Sequence, residues 1–160
     1  MLSIVLPTRE NMPFRQALYS DPATMTYNAP WFPPDGCIPF PESEWDAWLA
    51  RWTGREPERF CGFLANEAGE LVGEICWYEH GAGMGIVIRA AHRGRGYGEE
   101  GLRLLMDRAF SHPEITSLTN EFESDRAPAL ALHRKLGFTG VGEEKGVLIL
   151  RLEKNGGTSR

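Results

Sequence analysis

The sequence lacks the features that mark exported, membrane-bound or nucleic-acid-binding proteins. Its 160 residues contain no apolar run of 18 or more, and the N-terminus has no signal-peptide pattern. Three cysteines, odd in number and without C-x-x-C spacing, argue against a disulfide framework. Basic residues number 17 and acidic residues 22, so the formal net charge of -5 disfavours a broad phosphate-neutralising surface. We therefore expect a reduced, cytoplasmic protein that binds neither nucleic acid nor membrane.

The length predicts one domain with one core. A domain of this size buries about 70% of the surface that its unfolded chain exposes. The one break in periodicity, the proline-rich loop from Asn28 to Pro41, is predicted to lie within the domain. We expect the domain to span residues 1–154. The polar, glycine-rich tail, 155–160, is predicted to be disordered.

Hydrophobic periodicity predicts a mixed α/β fold. Helices are expected after the N-cap residues Asn11 and Ser43, with Trp45, Trp48 and Trp52 in the core. Two later helices and seven strands follow from the same patterns, the helices at 98–111 and 127–136 and the strands at 3–6, 60–65, 71–78, 85–89, 117–122, 138–142 and 147–152. A helix joins strands 85–89 and 117–122, which should therefore be parallel with a right-handed crossover.

A glycine-rich segment, residues 93–98, follows an apolar strand and precedes an amphipathic helix. Its glycines let backbone N–H groups converge, and the helix N-terminus adds unpaired donors and the positive end of its dipole. This arrangement predicts a site for a pyrophosphate. A P-loop is absent because no Lys-Ser or Lys-Thr pair follows. The dinucleotide fingerprint also fails, since Glu99 occupies the third glycine position after Gly94 and Gly96.

Two motifs resemble the signatures of the GNAT superfamily of N-acetyltransferases. The first is R-x-x-G-x-G, and the second, in the last helix, is similar to N-x-x-A-x-x-L-Y-x-K-x-G-F. Ser20-Asp21-Pro22 with Met25 and Tyr27 is similar to the branch that contains ribosomal-protein N-terminal acetyltransferases. The residues that carry the two motifs are Arg93, Gly96 and Gly98 in the first, and Ala129, Leu132, Lys135, Gly137 and Phe138 in the second. The resemblance covers nearly the whole chain, and the proline-rich loop least.

The resemblance implies a single α/β (α+β) domain of the GNAT type. Its sheet would be mixed and mostly antiparallel, with six or seven strands and about four helices, and splayed at the central parallel pair. It implies acetyl-CoA as cosubstrate, no metal, and direct attack on the thioester by a primary amine of a small molecule or a peptide N-terminus. The alternative is a non-catalytic acyl-CoA-binding or interaction module.

The cofactor residues are implied by the same resemblance. The pantetheine arm would pair with the backbone of the strand before the glycine segment, and the phosphates would meet the glycine segment itself. The positions carried over are Ile86, Val87, Ile88, Arg93, Gly94, Arg95, Gly96, Tyr97, Gly98, Arg126 and Lys135.

The proton-transfer residues depart from the family pattern. His133 stands where the family has its tyrosine acid. An imidazole can donate a proton near neutral pH, but a histidine on an apolar helical stripe is also typical of a packed core residue. The family's glutamate at the start of the central strand corresponds to Gly83. Glu74 and Glu79 are therefore the candidate bases.

The acceptor site is predicted from the proline-rich loop and from acidic residues on a strand. Trp31 and Phe32 lie where the family binds its substrate, although a hydrophobic lid or a contact in a homodimer fits them equally. Glu121 and Glu123 alternate onto one face of their strand, where they would either hold a cationic amine or form a solvated face.

Overall fold

The computed structural model describes residues 1–155. The strands are β1 Ser3–Val5, β2 Phe60–Ala65, β3 Leu71–Tyr78, β4 Gly83–Ile88, β5 Ser117–Glu123, β6 Thr139–Glu144 and β7 Val147–Glu153. The α-helices are α1 Met12–Tyr19, α2 Pro22–Met25, α3 Trp45–Trp52, α4 Tyr97–Phe110 and α5 Ala127–Lys135. The described chain thus has five α-helices where about four were predicted. The additional one, α2, is a single turn capped by Asp21 and too short to show an apolar stripe.

The strands form two antiparallel sheets, ordered β1-β2-β3-β4 and β5-β7-β6. β4 and β5 lie side by side between the sheets without a backbone ladder. A Cβ built on Gly81, just before β4, would lie 2.4 Å from the carbonyl oxygen of Ser117, the first residue of β5. The two strands therefore begin together and run in the same direction. The predicted splay at a central parallel pair is confirmed, and it opens a gap further along both strands.

Both faces of the first sheet are covered by apolar side chains. On one face, Ile75 and Trp77 pack with Leu102 and Leu105 of α4 in a core that extends to the second sheet. On the other face, α1 and α3 pack over a second cluster that includes Phe63. Burying one such side chain contributes about 1.5–3 kcal/mol, so these layers hold β3 and β4 rigidly beside the gap.

One of the two predicted N-caps is confirmed in position and the other is wrong. Asn11 takes the N-cap position of α1, but its side chain does not cap that helix, because its Oδ1 accepts the Thr8 N–H at 2.8 Å and so closes the preceding turn. Ser43 lies inside a 3-10 turn, and Glu44 takes the N-cap position of α3. The predicted end of α5 is confirmed, since Gly137 has a φ of 102°.

Three further observations concern the thiols, the helix lengths and the C-terminus. Cys37, Cys61 and Cys76 are free thiols. Within residues 1–155, the helices are too short or too polar to cross a membrane. The predicted disordered tail lies, apart from Asn155, outside the described residues.

Candidate active site

A cavity of about 720 Å³ opens between β4 and β5. Its volume lies in the range of small-molecule and cofactor sites. It is walled by β4, the glycine segment, β5, α5 and part of the proline-rich loop. Twelve of the predicted site residues line it, namely Phe32, Ile86, Val87, Ile88, Arg93, Gly94, Gly96, Tyr97, Gly98, Glu121, Arg126 and His133.

β4 presents an unpaired backbone edge to the cavity. The N–H of Arg89 donates to the carbonyl of Val72 in β3, at 2.9 Å. Because paired and unpaired positions alternate in an antiparallel ladder, the polar groups of Ile86 and Ile88 face away from β3. The carbonyl oxygen of Ile88 already accepts a hydrogen bond from Arg93 Nε, at 3.1 Å. The backbone of Ile86 is therefore open to an extended ligand that pairs as an added strand.

The glycine segment forms an open cradle at the start of α4. Gly94 and Gly96 have φ angles of 78° and 82°, a region that side chains rarely adopt. A Cβ built on either would meet no atom within 4 Å, so the space above the turn is free for a ligand. Gly96 is the N-cap of α4, whose first N–H groups have no partner within the helix. These residues fit a pyrophosphate.

Two of the predicted basic residues are engaged in the protein itself. Arg93 donates through Nη2 to the carbonyl of Thr24 at 2.9 Å and through Nε to Ile88, which ties α2 to the end of β4. Lys135 is exposed, lies outside the cavity lining and pairs with Glu99 at 2.8 Å. Arg93 therefore shapes the cavity wall, and the predicted cofactor contact of Lys135 has no support in this geometry.

Arg95 lies at the surface near the site, and Arg126 lines the cavity. Arg95 is exposed, outside the cavity lining, and makes no hydrogen bond or ion pair within residues 1–155. Arg126 lies inside, with its guanidinium 4.5 Å from the ring centre of Tyr27 and 5.6 Å from that of Phe122. Burial raises the pKa of Tyr27, and the Arg126 charge offsets the shift in part, so Tyr27 remains a neutral phenol.

His133 is buried in the cavity wall with both ring nitrogens occupied. Nδ1 lies 2.7 Å from the carbonyl oxygen of Ala129, and Nε2 lies 3.0 Å from the amide nitrogen of Asn120. Burial lowers the pKa of His133, and the Arg126 charge lowers it further, which outweighs the bond to Ala129. A neutral ring whose single proton points at a backbone carbonyl argues against the predicted acid role.

Glu74 lies behind the cavity wall and does not line it. Its carboxylate accepts hydrogen bonds from Arg15 Nε, at 2.7 Å, and from the Tyr19 hydroxyl. The Arg15 guanidinium is 4.2 to 4.5 Å from the ring centres of Tyr19, Phe40 and Trp48. This buried network fixes Tyr19, which does line the cavity. The geometry gives Glu74 a supporting place and no direct access to a substrate.

The other predicted carboxylates separate into one inside the cavity and two outside. Glu121 lines the cavity beside β4. Glu79 is exposed in the turn after β3, outside the lining. Glu123 accepts the indole N–H of Trp31 at 2.8 Å, also outside the lining. This bond ties the proline-rich loop to β5, so Trp31 contributes to the site through the loop and Phe32 by lining it.

Tyr78 was missed from the sequence, and its ring covers Gly83, the position at which the resemblance implies a glutamate. The β3-β4 register pairs Tyr78 with Gly83, and a Cβ on Gly83 would lie 2.1 Å from the tyrosine ring. Gly83 therefore carries no side chain because Tyr78 covers it. An aromatic residue opposite a glycine across a predicted hairpin is the signal that could have found this pair.

The other lining residues that were missed include Tyr19, Asn120 and Cys76. Tyr19 and Asn120 have polar partners on different elements, which no local pattern indicates. Cys76 lies within the apolar run of β3 and faces the cavity beside Gly85. Burial raises the pKa of Cys76 to about 12, so the thiol remains protonated near neutral pH and is a poor nucleophile.

Comparison with known proteins gives one family match and several structural neighbours. Residues 2–139 match the profile of the family described as acetyltransferase (GNAT) domain. A protein named N-acetyltransferase 9-like, from Nematostella vectensis, is 36% identical over 60 residues. Those residues are 38% of this chain and 30% of that protein, so the match spans less than a third of the relative's length.

Two solved structures share the fold across nearly the whole chain. Spermidine N-acetyltransferase from Vibrio cholerae, in complex with CoA and spermine, has a TM-score of 0.78 at 15% identity and covers 96% of both chains. A dodecameric structure of the spermidine N-acetyltransferase from Vibrio cholerae has a TM-score of 0.77 at 14% identity, over 99% of this chain and 98% of that one. At these identities, the likeness concerns the fold alone.

Proposed function

The chain belongs to the GNAT acetyltransferase family, and from that premise we propose that it transfers the acetyl group of acetyl-CoA to a primary amine. One observation carries the proposal: the residues of the glycine cradle and Glu121 line a single cavity. An acetyl transfer from CoA to an amine needs both ends, because the donor carries phosphates and the acceptor carries a cation.

The donor end is assigned to the backbone. The pyrophosphate of acetyl-CoA would meet the free N–H groups at the start of α4, and the pantetheine arm would pair with the open edge at Ile86. Arg95, which has no partner within residues 1–155, can reach out to phosphate without breaking an existing bond. When bound, acetyl-CoA supplies the activated acyl group.

The acceptor end is assigned to Glu121, the one acidic residue among the cavity-lining residues of 1–155. Glu121 would hold the ammonium of the acceptor and take one proton from it. The nitrogen then attacks the thioester carbonyl carbon, an N–C bond forms and the C–S bond breaks. The products are the acetylated amine, CoA thiol and one proton. An α-amine, with a pKa near 7.8, loses its proton more easily than a lysine, with a pKa near 10.4, so one carboxylate favours α-amines.

Release of CoA thiol from acetyl-CoA across a panel of amines tests the proposal. The panel should contain spermidine, spermine, a peptide with a free N-terminus, and the same peptide with a blocked N-terminus and one lysine. We expect amine-dependent thiol release, above the rate of hydrolysis without amine, and a product heavier by one acetyl group. Tight binding of acetyl-CoA without amine-dependent release at any pH would favour the acyl-CoA-binding module instead.

The panel also decides between acceptor classes. A spermidine acetyltransferase among the structural neighbours makes polyamines a class to test. We propose an α-amine acceptor in preference to a polyamine, because the described cavity lining offers one carboxylate and a polyamine carries several charges. Faster turnover of spermidine than of the free peptide N-terminus would overturn that preference.

We also propose that the chain self-associates. A neighbour of the same fold is dodecameric, and β6 is an exposed edge strand here. Light scattering after size-exclusion chromatography measures the mass directly, and a monomeric mass across the working concentration range would remove this part of the proposal.

A further inference from the structure

A short chain of hydrogen bonds connects the backbone of α5 to the cavity through His133 and Asn120. A carbonyl oxygen accepts and never donates, so the 2.7 Å contact with Ala129 requires the proton on Nδ1 of His133. Nε2 is then an acceptor, and the 3.0 Å contact requires an N–H donated by the Asn120 amide. The donor and acceptor roles of His133 and Asn120 in these two hydrogen bonds are therefore fixed.

The amide of Asn120 is fixed at its other end as well. Its Oδ1 accepts the backbone N–H of Glu121 at 2.8 Å. One amide hydrogen is held by His133, so the second is left without a partner within residues 1–155, and Asn120 lines the cavity. A free donor on a doubly fixed amide needs no reorganisation to meet a ligand.

Asn120 lies away from the phosphate cradle. β4 and β5 begin together, with Gly81 beside Ser117, so three residues further along β5 Asn120 lies roughly level with Met84 of β4. Met84 and Gly85 precede Ile86, whereas the glycine cradle follows the other end of β4. The free amide hydrogen is therefore at the end of the cavity that is farthest along β4 from the phosphates.

We propose that Asn120 is a substrate-contacting residue that donates its free amide N–H to the thioester end of acetyl-CoA, and that His133 is the positioning residue that orients it. The assignment rests on the proposed acetyl transfer from acetyl-CoA. It gives His133 a role that differs from acid catalysis. To act as an acid toward the cavity, the ring would need a proton on Nε2, and that proton would displace the Asn120 bond.

The first test observes the two side chains by nuclear magnetic resonance. Long-range ¹H–¹⁵N spectra should show His133 with its proton on Nδ1 and a bare Nε2 at neutral pH. Saturation with acetyl-CoA should shift the side-chain amide resonances of Asn120. A proton on Nε2, or Asn120 amide resonances that do not move on saturation, would overturn the proposal.

The second test separates positioning from acid catalysis with two substitutions of His133. His133→Gln cannot supply a proton in acid catalysis, but its side-chain oxygen can accept the Asn120 N–H. His133→Phe keeps a ring beside Phe122 and Phe138, each of which lies 5.0 Å away, but offers no acceptor. We expect kcat to stay within about threefold for Gln and to fall about a hundredfold for Phe, the effect of losing one preorganised donor. Acetyl-CoA affinity should change less than kcat in both.

Other outcomes contradict the assignment in identifiable ways. Equal losses of a hundredfold or more in Gln and Phe would restore the acid role. Full activity in Phe would make His133 a packing residue. Asn120→Ala, which keeps His133, should reproduce the Phe loss, and an active Asn120→Ala enzyme would overturn the proposal even if both His133 variants fail to fold.

Failure of the proposed function would look different. If no amine supports turnover by the wild-type protein, acetyl transfer fails as the function. The spectra still decide whether Asn120 meets acetyl-CoA, because they need binding and not turnover.

Discussion

The two ends of the cavity are built from different materials. The end proposed to bind the phosphates of acetyl-CoA, the phosphate end, consists of backbone, with two glycines at positive φ and an unpaired strand edge, all from one continuous stretch of chain. The end proposed to hold the amine, the acceptor end, is lined by side chains, with Tyr19, Tyr78 and Glu121 contributed by α1, β3 and β5. Dihedral angles and open space therefore determine the first end, and buried polar contacts between distant elements determine the second. Substitutions should damage the two ends in separable ways.

The largest effect is expected at the acceptor end, from Glu121→Gln. Loss of the proton acceptor should lower kcat about a hundredfold or more, the usual contribution of a general base. The affinity for acetyl-CoA should not change, because the phosphate end does not use this carboxylate. Steady-state kinetics and calorimetry measure the two quantities. Glu114→Gln, an exposed carboxylate outside the cavity lining, is the control. Equal activity of both variants would reduce Glu121 to a solvated surface residue.

A substitution in the wall behind the acceptor end should lower the stability of the fold, and Glu74→Gln tests this. The side chains of Glu74 and Arg15 are 4% and 14% exposed, and the substitution leaves a buried guanidinium without its counter-ion. We expect the free energy of unfolding to fall by about 3–5 kcal/mol, as when one partner of a buried pair is removed. Urea denaturation measures this change.

An exposed ion pair of the same length provides the matched control. Glu42 and Arg9 are also 2.7 Å apart, but their side chains are 68% and 48% exposed. Glu42→Gln should cost less than about 1 kcal/mol, because solvent screens an exposed pair. Similar losses from both substitutions would show that the Arg15-Glu74 contact does not hold the wall.

The sequence predicts the phosphate end better than the acceptor end, because the first is backbone from consecutive residues and the second is side chains from distant elements. The GNAT resemblance and the fold class are confirmed, and the strand bounds agree within about two residues. The glycine segment was predictable because its conformation depends on consecutive residues. Glu74 shows the limit, since alternation along β3 places it on a face but does not reveal that Arg15 and Tyr19 of α1 enclose it. His133 shows the same limit of sequence-based prediction, because the position of its proton depends on Asn120, which lies on another element.

A smaller effect is expected at the phosphate end, from Gly96→Val. A β-branched side chain at a φ of 82° costs about 1–3 kcal/mol of strain and also enters the space assigned to phosphate. We expect acetyl-CoA to bind at least about tenfold more weakly, by calorimetry. Gly69→Val is the matched control, because Gly69 also has a φ of 82° and open space around it but lies in the β2-β3 turn. Equal affinities in the two variants would show that the cradle does not bind acetyl-CoA.

The smallest effect should come from Trp31→Phe, which removes the 2.8 Å bond between the indole and Glu123 but keeps an aromatic ring. Trp31 is 58% exposed, so the bond should contribute about 0.5–1.5 kcal/mol to the position of the proline-rich loop. Because Phe32 of that loop lines the cavity, the KM for the amine should rise about two- to tenfold. The affinity for acetyl-CoA should not change. Glu123→Ala should have the same effect, and the double variant should add nothing, since both remove one interaction. Fully additive effects would mean that each side chain holds the loop independently, and the acceptor end would then depend on packing rather than on this bond.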